Sequence, residues 1–139
     1  MGDRGQVEII GTYGSEHSIY MYTHWGATHL ENVVADAMVR GKGRWSDDEY
    51  LNRIIFSEMI KDDVMSDTGY GIGLALHGDT WKLVVVNHTD QTVGIKVVSY
   101  DKVDWQNYNQ EDVVWNWELE PVPFEVFVYL NNLVTAKEQ

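Results

Sequence analysis

His24 and His29 are the residues of this chain best spaced to do chemistry together. They lie five apart across Gly26 in Tyr22-Thr23-His24-Trp25-Gly26-Ala27-Thr28-His29, where a strand pattern gives way to a helix pattern. A helix start leaves free N–H groups pointing outward. A glycine turn lets two imidazoles converge, and imidazole nitrogen suits zinc and its neighbours. Spacing supplies no third ligand and no HExxH pair. A metal-dependent hydrolase at His24 and His29 therefore ranks third among the functional readings. No residue is assigned as catalytic or as a metal ligand, and no cofactor is implied.

A pocket for a small molecule uses the same segment without a metal. Tyr22, His24, Trp25 and His29 offer rings and polar tips, and Arg4 could hold a ligand anion. Gly69, Gly71 and Gly73 recur at period two, so on a strand they share one face, with Tyr70, Ile72 and Leu74 on the other. A glycine strip admits a ligand's ring or is covered by one of the chain's own tryptophans. The second reading is thus a small-ligand binder, with nucleotides as one class, around Arg4, Tyr22, His24, Trp25, His29, Tyr70 and Gly71. The strip is not a GxGxxG fingerprint, because no helix follows it.

Charge points to the leading reading. The 139 residues hold 10 Lys and Arg against 22 Asp and Glu, a formal charge of −12. This field repels phosphate, which disfavours direct nucleic-acid binding and favours a basic protein partner. Asp62, Asp63 and Asp67 flank the end of one helix pattern, and Asp101, Asp104 and Glu118 belong to a second acidic group. With nearby aromatic anchors they are the candidate partner contacts. The 62–67 run lacks the glycine and bidentate glutamate of a calcium loop.

The elements that must position these residues follow from periodicity. Val7–Gly11 and His17–Thr23 alternate as strands, and Leu30, Val33, Val34, Ala37 and Met38 keep helical spacing up to Gly41. Leu51, Ile54, Ile55 and Met59 mark a second helix. Thr28/Glu31 and Ser46/Glu49 fit capping boxes for the two helices. Tyr70–Leu76, Trp81–Asn87 and Thr92–Ser99 read as strands joined by hairpin-sized links, and residues 100–111 as a loop. Val113, Trp115, Trp117 and Leu119 alternate as one face of a further strand, and Pro123 opens a last helix. The order ββ-αα-βββ-β-α predicts a single α+β domain over residues 1–139. Its five or six strands should form a mostly antiparallel twisted sheet with about three helices.

Several of these segments together carry a resemblance. Met1-Gly2-Asp3-Arg4, Tyr22-Thr23-His24-Trp25, Arg44-Trp45 with Tyr50-Leu51, Arg53-Ile54-Ile55-Phe56 and Thr68-Gly69-Tyr70-Gly71-Ile72 resemble a family of small uncharacterised proteins of bacteria, archaea and their viruses. The likeness spans about residues 1–95 and implies a viral or mobile-element setting, without an activity. In that setting the basic partner would be a host defence or nucleic-acid-handling protein. With no cysteine, thiolate chemistry and disulfides are excluded. No apolar run reaches the ~18 residues a membrane span needs, and no apolar signal segment follows Met1. The expectation is a cytoplasmic protein, in the host cytoplasm if viral.

Overall fold

The computed structural model describes residues 2–12, 17–99 and 113–138. In chain order they form β1 (Gly5–Ile10), β2 (Ile19–Thr23), α1 (Leu30–Arg40), α2 (Asp48–Ile60), β3 (Tyr70–Gly73), β4 (Lys82–Asn87), β5 (Thr92–Val98), β6 (Trp115–Pro123) and α3 (Phe124–Glu138). The six strands make one sheet in the order β3-β2-β1-β4-β5-β6. The fold is α+β.

Strand alternation divides the sheet into two faces. Val7, Ile9, Met21, Val84, Val86, Val93 and Ile95 point to one side and are buried. They join Leu30, Val34, Met38, Leu51, Ile55, Phe124 and Phe127 from the three helices in a single core. The helices therefore cover this face, with α1 touching both α2 and α3. β4 is buried on both faces from Leu83 to Val86, as suits a β-branched central strand.

Four of the five strand pairings are antiparallel, but β1 and β4 run parallel, Gly5 opposite Lys82 through Ile10 opposite Asn87. The link His77–Thr80 is accordingly no hairpin. β3 pairs with β2 and β4 with β1, so the chain must return across the open face between them. The buried Gln6 amide draws the link there. Its Nε2 donates to Ala75 O at 3.1 Å, and its Oε1 accepts from His77 N and the Thr80 hydroxyl, each at 2.8 Å.

Both capping boxes are replaced. Before α1 a 3-10 turn spans Ala27–His29, and the Thr28 N–H donates to Asp3 Oδ2 at 2.8 Å. Glu31 accepts from Lys82 Nζ at 2.8 Å instead of reaching back to Thr28. The cap of α2 is Asp47, which accepts from Tyr50 N, and not Ser46. In each case a carboxylate supplied the stronger acceptor for a helix-start N–H.

The alternation of β6 also breaks. Register shifts occur where it meets Val93 and Ile95. Leu119 then packs on the core, while Trp117 lies over Gly94 and under the Lys96 ammonium, 4.6 Å from its ring centre. The bulge separates two residues that strict alternation would keep on one face.

Candidate functional site

The motif residues of the sequence converge at one end of β1. Asp3 N donates to His24 O at 2.8 Å, Ala27 N to Asp3 O at 3.0 Å, and His24 N to Gly69 O at 2.9 Å. Gly69 has φ +94°, and any Cβ there would lie 2.2 Å from the Trp25 ring. Three segments far apart in the chain thus lock together around the His24 backbone.

The side chains of this cluster are engaged with one another. Tyr22 OH lies 2.9 Å from His24 Nδ1, and Arg4 Nε donates to the same nitrogen at 3.3 Å. That lone pair is already shared by two donors. Arg4 Nη1 forms an ion pair with Asp79. The Tyr22 ring packs on His77 with centroids 4.7 Å apart, and His24 meets the edge of Trp25 at 5.1 Å. Asp3 Oδ1 accepts from Trp81 Nε1 at 2.8 Å. Burial works against the charged Asp3 carboxylate, but hydrogen bonds from Thr28 and Trp81 and the Lys82 charge hold its pKa below 3.8. His29 is exposed at the start of α1. Among the described residues, no three His, Asp or Glu side chains gather as a metal site would require.

The glycine strip behaves in two ways. Trp25 covers Gly69, as a packed aromatic should. Gly71 and Gly73 have no described atom within 4 Å of where a Cβ would stand. They lie opposite Tyr22 and Tyr20 in the β2 pairing, on the face away from the helices. Tyr70, on the other face, packs against the core.

The candidate partner contacts are spread out. Asp62, Asp63 and Asp67 sit on the loop between α2 and β3, with Asp62 and Asp67 exposed. Glu118 is exposed on β6. Asp101 and Asp104 lie outside the described residues, as does the loop expected at 100–111.

A second site, which the motifs did not single out, lies at the opposite end of β1. Thr12, Trp45, Ser46, Asp48, His88, Thr89 and Gln91 line a cavity of about 280 Å³. His88 is 6% exposed, its Nε2 lies 2.7 Å from Asn52 Oδ1, and its Nδ1 is buried without a hydrogen-bond partner. An amide oxygen can only accept, so Nε2 carries the proton and Nδ1 presents a bare lone pair. Burial lowers the His88 pKa from its ordinary value, opposed by the Asp48 charge, which favours the neutral ring. The Asp48 carboxyl is held below 3.8, first by the Thr12 hydroxyl donating at 2.8 Å, against some burial.

Gln91, at φ +53°, is the only described non-glycine residue with positive φ. Glycine or asparagine is the usual choice there. Nothing in the sequence marks Gln91 for that conformation, so the site left no local signal there. The site was hidden because the cavity is assembled from three segments, 12, 45–48 and 88–91.

Comparisons of the chain with protein-family models, with curated proteins and with solved structures found no match.

Proposed function

We propose that this protein acts by binding, and that an extended basic segment of a partner protein docks along the free edge of β3. The observation that carries this reading is the contrast between the two sheet edges. β6 is guarded by Glu118, Glu120, Pro121 and Pro123, the charges and prolines that discourage strand pairing. From Thr68 to Leu76, around β3, there is no charge and no proline. Ile72 is 58% exposed and Leu74 77%. The preceding loop sets Met65, 94% exposed, among Asp62, Asp63 and Asp67. An unguarded edge offers backbone hydrogen bonds, apolar side chains offer anchors, and the acids select a basic strand. The net charge of −12 steers such a partner in and turns phosphate backbones away.

The test is a synthetic peptide of alternating lysine and valine, titrated while the backbone amide signals of Tyr70–Gly73 are followed. Those amides shift, and added salt weakens the binding. Replacing Asp62, Asp63 and Asp67 together by Asn weakens it about tenfold, and Ile72→Lys abolishes it. Unmoved β3 amides, or binding indifferent to salt and to the triple replacement, would remove the reading.

A second reading rests on the uncovered Gly71 and Gly73 beside Tyr22 and Tyr20. A planar ring slides onto that strip, as a nucleotide base would. Thermal stabilisation by a nucleotide panel, lost in Gly71→Val, supports it; no stabilisation by any member at millimolar concentration rules it out.

A further inference from the structure

The cavity at the far end of β1 is distinct from the β3 edge and calls for a different kind of ligand. Its polar inventory is one-sided. The Thr12 hydroxyl donates to Asp48, and the Thr89 hydroxyl to Gly11 O at 2.6 Å. The Gln91 amide donates to Trp45 O at 3.2 Å, and the Trp45 indole to Met38 O at 3.0 Å. The Thr12 and Thr89 hydroxyls, the Trp45 indole and one of the two Gln91 amide hydrogens are thus committed to the protein itself. The charged group of the lining is an acceptor, the Asp48 carboxylate, and the same lining holds His88, whose Nδ1 is buried without a hydrogen-bond partner. Arg44, next in sequence to Trp45, pairs with Asp47 and lies over the Tyr50 ring.

An acceptor-lined cavity with one negative charge rejects anions and leaves a carboxylate ligand unpaired. A neutral polyol, needing donors as well as acceptors, is poorly matched. A protonated amine or guanidinium supplies several N–H donors and the opposing charge, and the Trp45 ring is a suitable wall for an organic cation. The volume limits the ligand to metabolite size.

We infer that the cavity between Asp48, His88 and Trp45 is a binding site for a small organic cation bearing N–H donors, an ammonium or guanidinium compound.

The test follows the imidazole nitrogen resonances of His88 in the full chain at neutral pH while agmatine is added. Tetramethylammonium serves as a cation without N–H donors, and butanediol as a neutral hydroxyl compound. Agmatine moves the Nδ1 resonance upfield, the sign of a lone pair accepting a hydrogen bond, and shifts Trp45 and Gln91 with it. The two control compounds leave Nδ1 in place. Asp48→Asn, which keeps the side-chain shape, weakens agmatine binding about tenfold, and Asp36→Asn, an exposed position on α1, leaves it unchanged. An Nδ1 resonance that stays fixed throughout the agmatine titration overturns the inference. So does an equal response to butanediol, or undiminished binding in Asp48→Asn. A blocked arginine peptide that binds more tightly than agmatine would overturn the free-metabolite assignment and give the site to a protein side chain. Because the readout is at His88 and not at Tyr70–Gly73, it is independent of the peptide-docking experiment.

Discussion

The two ends of β1 hold similar residue types in opposite conditions. At the Gly5 end, Arg4, Tyr22, His24, His77 and Asp79 look like a site by composition, yet hydrogen bonds, an ion pair and ring contacts link them to one another. At the Ile10 end, Asp48 and His88 attracted no motif, yet they line a cavity and one imidazole nitrogen has no partner. Reactive residue types do not by themselves mark where a protein keeps binding capacity. A satisfied cluster holds segments together, and a buried polar atom left unpaired is the better sign of a missing ligand.

The largest test of this contrast is at the closed end. Gln6→Leu removes three hydrogen bonds and leaves the Thr80 hydroxyl, 3% exposed, without its acceptor. The expected loss is about 3 kcal/mol in urea unfolding. A loss below about 1 kcal/mol would mean that this end is not held as tightly as its hydrogen bonds imply.

Glycine substitutions come next. Gly69→Ala combines a left-handed backbone with a collision against Trp25, and should cost about 2 kcal/mol and shift tryptophan fluorescence to longer wavelength. Gly71→Ala meets nothing and should stay within about 0.5 kcal/mol of the parent. Equal effects would erase the distinction between a covered and an open glycine.

A gentler effect separates the ends by pH. The folded-state pKa of His88 lies below its ordinary 6.5, so on acidification the unfolded chain takes up its proton first. Stability should therefore begin to fall as pH drops below about 6.5, and continue until His88 protonates in the folded protein as well. Asp3 and Asp48, held below 3.8, contribute stability that is present above that value and lost only as pH falls through their folded pKa values. Urea midpoints measured from about pH 7.5 to 5 should decline in the parent, and decline less in His88→Phe. Identical slopes would show that His88 is not kept neutral by its burial.

The smallest effects concern the helix starts, one at each end. Thr28→Ala and Ser46→Ala should each change stability by less than about 0.5 kcal/mol, because the side-chain acceptors at these helix starts are the carboxylates of Asp3, on Thr28 N–H, and Asp47, on Tyr50 N–H, and not the two hydroxyls. A cost near 1 kcal/mol in thermal or urea unfolding would restore the hydroxyl caps.

The sequence by itself determined the elements and their order. Alternation marked β1 and β2, the helical stripes marked α1 and α2, and Pro123 stands one residue before α3. These signals are local, since burial of one face imposes a period that can be read within ten residues. The convergence of the Arg4, His24 and Gly69 segments was legible only as a set of motifs, without their geometry. Tertiary structure alone decided that β1 and β4 run parallel, that a buried Gln6 diverts the 77–80 link, and that Lys82 takes Glu31 away from its cap. It also decided that Asp48 and His88, forty residues apart, share one cavity. Such outcomes depend on which distant group offers the best partner for a buried polar atom, and nothing within either segment records the other's position.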